Sequence, residues 1–126
     1  MAQISIKKTL AKILNTPMIV EQGTSGIWTY RKWSDGTAEC WGLTSYTSHA
    51  MTQQSGNGYY SQETYNLPSG LFTSINNATG SKTGSGGLVT ISFYTATTGY
   101  LGYYCICTSS LTVTFGIFFN VKGRWK

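Results

Sequence analysis

Few residues in this chain are suited to acid–base or nucleophilic chemistry. There are four carboxylates, Glu21, Asp35, Glu39 and Glu63, one imidazole, His49, and three thiols, Cys40, Cys105 and Cys107. Hydrolysis by paired carboxylates needs two acids held roughly 5–10 Å apart. Asp35 belongs to a turn and Glu39 to a cross-strand ion pair, which leaves Glu21 and Glu63 as the available couple. Nucleophilic catalysis would need His49 as its base, but no Gly-x-Ser-x-Gly elbow surrounds it, and in a Ser/Thr-rich stretch it reads as a polar residue of a surface loop. Cys105 and Cys107 share one face of a strand and Cys40 has a face of its own. The three therefore read as reduced thiols in the core, with no disulfide. With His49 as the one nitrogen partner and no second closely spaced pair, no metal site is expected. Gly84, Gly86 and Gly87 resemble a phosphate loop in composition only, since no Lys-Ser/Thr follows and no helix begins there. Neither a catalytic residue nor a cofactor is expected, and the chain does not read as an enzyme.

Binding chemistry is better supplied. Nine Tyr and four Trp accompany many Asn, Ser and Thr, a mixture in which rings stack on the apolar faces of sugars while short polar side chains satisfy sugar hydroxyls. The candidate contacts are Trp33 and Trp41 with Arg31 between them, and Tyr59 and Tyr60 beside the Gly56-Asn57-Gly58 turn. The alternative use of the same rings is to fill the core or a subunit interface. A net charge of +5 raises the question of nucleic acid, but the basic residues are scattered. Lys7, Lys8 and Lys12 lie in the first segment, Arg31 and Lys32 in a hairpin, Lys82 alone, and Lys122, Arg124 and Lys126 at the end, so no stripe forms and no nucleic-acid partner is expected. No apolar run reaches the roughly 18 residues that cross a bilayer, so membrane insertion is not expected, and no export signal is visible.

The elements that must position these residues read as β. A chain of 126 residues is one domain's worth, and only 10% of it is charged, with 15 Gly, which suits twisted strands and tight turns. Residues 1–17 form the exception: Ile6, Leu10, Ile13 and Leu14 recur at helical spacing until Pro17. They predict a short N-terminal helix that is either a coiled-coil seam needing outside support or a tether packed on its own domain. From residue 18 to 126 an antiparallel β-sandwich of six to seven strands is expected. Residues 28–33 and 37–42 make a hairpin in which Ser34-Asp35 is the turn and Gly36 the left-handed bulge residue. That register sets Arg31 opposite Glu39 and Thr29 opposite Trp41, and turns Trp28, Tyr30, Ala38 and Cys40 toward the core. Strands follow at 59–66, 71–78, 89–94 and 100–107, with a Gly/Ser-rich loop at 80–87. The last run alternates most clearly: Leu111, Val113, Phe115, Ile117, Phe119 and Val121 on one face, polar residues on the other.

The string IVEQGTSGIWTYRKWSDGTAECWG, residues 19–42, resembles a segment of structural proteins from phages and prophages of gut Firmicutes, at the start of the C-terminal domain of tail-fibre or baseplate-associated proteins. LPSGLFTSI (67–75) and VKGRWK (121–126) are similar in the same order. The resemblance implies a small antiparallel sandwich at the distal end of a fibre, laid out like trimeric H-type lectin domains. It implies a homotrimer that attaches to a bacterial surface polysaccharide or other host receptor, contacts other virion proteins, folds in the bacterial cytoplasm and resides in the virion. The other function compatible with it is a purely structural fibre or baseplate element. No catalytic or sugar-binding residue is carried over, because the matching strings are scaffold and the loops are unmatched.

Overall fold

The computed structural model describes residues 16–126. The helix expected within residues 1–17 lies outside the described residues, apart from their last two positions. Among the described residues every element is a strand, and all pairings are antiparallel: β1 (Ile19–Ser25), β2 (Trp28–Trp33), β3 (Thr37–Leu43), β4 (Thr47–Met51), β5 (Gln53–Ser55), β6 (Gly58–Asn66), β7 (Ser74–Thr83), β8 (Thr90–Ala96), β9 (Tyr100–Cys107) and β10 (Leu111–Arg124). Ten strands replace the expected six to seven. The additions are explicable. β1 is an edge strand exposed along most of its length, so no face of it is marked by apolar residues. β4 carries a buried His at a core position, and β5 is only three residues long. β7 also begins three residues later than expected and runs on through Gly80 to Thr83, into the stretch read as a loop.

Strand β10 organises the first, six-stranded sheet. Its second half pairs with β3 from Phe118↔Leu43 to Arg124↔Thr37 and with β7 from Gly116↔Thr83 to Arg124↔Ser74. Its first half pairs with β4 from Leu111↔Met51 to Phe115↔Thr47. Between Leu43 and Thr47 the chain advances one residue more than β10 does, and the slack is bridged at Thr44. Its N–H donates to the Ile117 carbonyl at 2.9 Å, and its hydroxyl accepts from the Ile117 N–H at 2.9 Å. The second sheet has the order β5-β6-β9-β8.

The hairpin of β2 and β3 has the expected register, with Thr29↔Trp41 and Arg31↔Glu39. Gly36 adopts φ +94°, the left-handed region open to glycine, and its N–H donates to the Trp33 carbonyl at 3.0 Å. Asp35 accepts from the Thr37 N–H and hydroxyl at 3.0 and 2.7 Å, and these bonds hold its carboxyl below the ordinary carboxylate range. The end of β10 closes over this tip: the Trp125 N–H donates to the Gly36 carbonyl, its indole N–H to the Trp33 carbonyl, and Arg124 to the Asp35 carbonyl.

The two sheets meet at Phe119. Its ring is fully buried and lies 6.0 Å from Trp28 of its own sheet, and 5.8, 6.1 and 5.2 Å from Tyr65, Phe93 and Tyr103 of the other. Phe115, Ile117 and Val121 extend the same buried row along β10. Truncating Phe119 removes a ring that four others pack against, so Phe119→Ala is expected to cost about 3–5 kcal/mol of unfolding free energy. Urea titration of the variant measures it, and a loss below about 1 kcal/mol would mean that the two sheets are not joined through this ring.

Candidate functional site

The outer face of the second sheet is built by strand alternation. On β9 the odd residues Leu101, Tyr103, Cys105 and Cys107 are buried, which turns Tyr104 and Ile106 outward. On β6 Tyr60 stands opposite Ile106, so it joins them. Tyr94 reaches the same face by alternation with Ile91 and Phe93, and a bulge then sets its position. Between Phe93↔Tyr103 and Thr95↔Gly102 strand β8 carries one extra residue, and that residue is Tyr94. A bulge of this kind re-aims a side chain. Here it lays the Tyr94 ring over Gly102, where an added Cβ would sit 2.6 Å from the ring carbon Cζ. The result is a row of three phenol rings: Tyr60 stands edge-on to Tyr104 at 5.2 Å, and Tyr104 lies 5.0 Å from Tyr94. Beside them opens a cleft of about 340 Å³ lined by Ser55, Gly58, Tyr59, Tyr60, Tyr104 and Ile106.

The candidates named from sequence fall on two different sheets. Tyr60 is part of the phenol row, and Tyr59, one residue earlier, borders the cleft while packing against the core. Trp33, Trp41 and Arg31 lie on the first sheet. The Arg31 guanidinium sits 5.2 Å from the centroid of the Trp41 ring, the stacking expected of that register. The ion pair expected of Glu39 does not form: among the described residues this ribbon's acid–base contact is Lys32 to Glu21 at 3.5 Å. Trp33 borders a separate cleft with Glu39, Asn76, Asn77 and Lys122. Arg31, Trp33 and Trp41 therefore lie apart from Tyr59 and Tyr60, and the cleft that Trp33 borders includes neither Arg31 nor Trp41. Tyr94 and Tyr104 were not singled out from sequence. For both the signal existed: Tyr104 alternates with Tyr103 and Cys105, and Tyr94 falls with Thr90 and Ser92 in alternation with Ile91 and Phe93, while the bulge that sets its ring over Gly102 leaves no mark in the residue pattern. The chain matches no family model, no curated protein and no solved structure.

His49 corrects its sequence reading. It is no surface loop residue: it sits on β4, is 5% exposed, and stacks on Phe115 with ring centroids 4.0 Å apart. Its Nδ1 lies 2.8 and 2.7 Å from the two carboxylate oxygens of Glu63, and its Nε2 lies 3.1 Å from the Phe115 carbonyl and 3.2 Å from the Thr47 hydroxyl. The Ser61 hydroxyl donates to Glu63 Oε2 at 2.6 Å. Glu63 and Glu21 are thus each occupied, by His49 and Lys32, rather than paired for hydrolysis. The Ser61 hydroxyl meets the carboxylate and not the imidazole. The Thr47 hydroxyl does meet His49 Nε2, but the Phe115 carbonyl, which can only accept, holds the hydrogen on that nitrogen, so Nε2 has no lone pair with which to take a proton from Thr47. The parity of the strands carried this signal: His49 shares a face with buried Met51, and Glu63 with Tyr65.

All three thiols are free and buried. Burial pushes Cys40 up to about 12, and burial together with the nearby Glu63 carboxylate pushes Cys105 up to about 12, so neither is a thiolate at neutral pH. Tyr103 is likewise raised, by burial first and then by Glu63. A thiol reagent added to the native protein at pH 8 is expected to label Cys40 and Cys105 negligibly over an hour, and all three cysteines in denaturant. Rapid labelling of Cys105 in the native state would contradict the packing described.

Proposed function

We propose that this chain is a non-catalytic receptor-binding module of a phage particle, a tail-fibre or baseplate tip that attaches to a bacterial surface glycan as a homotrimer. In this reading the two sheets form the two layers of a β-sandwich. The observation that carries it is the row of Tyr60, Tyr104 and Tyr94 beside its cleft. Phenol rings in a row present apolar faces to successive sugars, and their hydroxyls accept and donate at the edges. The row is held on strands rather than loops, which lowers the ordering cost of binding.

The phage assignment is supported by the resemblance of residues 19–42, 67–75 and 121–126, and by where those strings lie. They are neighbours at one corner of the protein: Arg124 pairs with Thr37 and with Ser74, and Thr73 donates to the Arg124 carbonyl at 2.7 Å. Segments that resemble one family and pack on one another behave as a shared scaffold, with the binding face elsewhere. Trimer formation is supported by Met18, Ile19 and Val20, three consecutive exposed apolar residues at the edge strand β1, and by the exposed neighbours Leu43 and Phe118. These same residues favour the second reading, a purely structural virion element that uses its apolar surface for assembly.

Single sites of this shallow kind bind weakly, and several on one particle bind firmly through effective concentration. The protein is expected to sediment with walls from a panel of Firmicutes and to lose that binding when wall polysaccharide is stripped. Tyr104→Ala should weaken the interaction at least about tenfold without unfolding the chain, since Tyr104 touches both other rings. Undiminished binding to stripped walls would remove the glycan, no binding to any wall would leave the structural reading, and release of shortened glycan would make the protein an enzyme. Sedimentation equilibrium is expected to return three chains per particle at micromolar concentration. A monomer would exclude the trimer.

A further inference from the structure

Behind the phenol row, among the described residues, a buried polar cluster is left unused by the reading above. A ring nitrogen of His49, a Glu63 carboxylate oxygen and Cys105 Sγ all lie within 4.8 Å of one another, contributed by β4, β6 and β9. Three features make this a built arrangement rather than three polar residues left in a core. The Phe115 carbonyl can only accept, so at 3.1 Å it fixes the Nε2 hydrogen of His49, and Nδ1, 2.7 Å from Glu63 Oε2, is the ring nitrogen left to face the cluster. A ring nitrogen held in this way by a backbone carbonyl is the usual support of a metal-ligating histidine. Glu63 is in turn oriented by the Ser61 hydroxyl at 2.6 Å. The stacked Phe115 ring closes one side, while Glu63, whose side chain is 25% exposed, leaves an approach from solvent.

We propose that His49 Nδ1, the Glu63 carboxylate and Cys105 Sγ form a binding site for a zinc-class divalent cation that clips β4 of the first sheet to β6 and β9 of the second. The donor set of one imidazole, one carboxylate and one thiol suits a borderline-soft cation such as Zn(II) or Co(II), and not Mg(II) or Ca(II), which take oxygen. The exchange balances in protons and charge. Without metal the site holds a protonated Cys105 and one proton shared between His49 and Glu63, and it is neutral. On binding M(II) both protons leave to solvent, and the thiolate, carboxylate and cation again sum to zero. A buried site that keeps its net charge avoids the desolvation cost that a lone cation would meet. With three protein ligands the fourth position of a tetrahedral cation stays open, toward the partly exposed side of Glu63.

The test uses the full chain without an affinity tag, so that His49 is its one histidine, reduced and freed of metal, titrated with Co(II) under anaerobic conditions. A single equivalent is expected to produce a thiolate-to-cobalt charge-transfer band and the visible bands of tetrahedral Co(II), both abolished by Zn(II). Cys105→Ser should remove the charge-transfer band, and Cys40→Ser and Cys107→Ser should leave it. Zn(II) at about a hundred times its dissociation constant should raise the melting temperature by roughly 10 °C. Glu63→Gln should weaken Co(II) binding at least tenfold. A measurement that needs no variant is X-ray absorption of the Zn(II) form, in which one sulfur at about 2.3 Å and nitrogen or oxygen at about 2.0–2.1 Å are expected. No uptake of Co(II) at micromolar concentration, a band that survives Cys105→Ser, or a zinc shell without sulfur would each overturn the proposal. Wall binding through Tyr104 is read separately, so the loss of either claim leaves the other standing.

Discussion

Everything in this fold depends on one ring that two sheets share. Phe119 stands midway along the β10 segment that is paired on both sides, with β3 and β7, so its backbone position is fixed before its side chain is considered. Fully buried, it meets Trp28 within its own sheet and Tyr65, Phe93 and Tyr103 of the other. Edge-on and tilted ring pairs of this kind add to the stabilisation from area burial and restrict the relative placement of the sheets. Because β6, β8 and β9 each supply one ring to Phe119, all three are oriented at once, and the outward residues between those rings are oriented with them.

The outer phenol row follows from that constraint by alternation. Tyr103 points in at Phe119, so Tyr104 must point out, and Phe93 points in, so the residue after it is free to bulge. Tyr94 uses that freedom and lies over Gly102, which has no side chain to compete for the space. The outer row of phenols is therefore carried on strands whose opposite face is packed in the core, and side chains placed on strands rather than loops have less to order when a ligand settles on them. The His49 and Glu63 pair serves the same interior at another point, joining β4 of one sheet to β6 of the other.

Much of this was legible in the sequence where a local rule had nothing to oppose it. Ser34-Asp35-Gly36 set the hairpin register because a two-residue turn followed by a left-handed glycine leaves one pairing, and Arg31 stands opposite Glu39 as that pairing requires. The core face of β10 was legible because it alternates over a long run. The reading failed where a polar residue occupies an inward position. His49 and Glu63 break the apolar pattern of β4 and β6, so one strand was read as a loop and the contact between them, which links residues on different sheets, had no local signature. The charge contacts of the hairpin failed for a related reason: Lys32 reaches Glu21 of a strand that the two-strand reading did not include. The outward face of Tyr94 follows the alternation of β8, but the bulge that lays its ring over Gly102 is decided by pairing with β9 and not by the residues of β8.

The claim that the phenol row is the glycan-binding surface is tested most directly by nuclear magnetic resonance of isotope-labelled protein titrated with polysaccharide released from a wall that retains it. The expected result is a set of shifts confined to Tyr60, Tyr94, Tyr104, Ile106 and the turn at Gly58, saturating as the polymer is added, with the Trp33 and Trp41 indole signals unmoved. Shifts centred on those indoles, with the phenol row silent, would place binding on the other sheet and contradict the account.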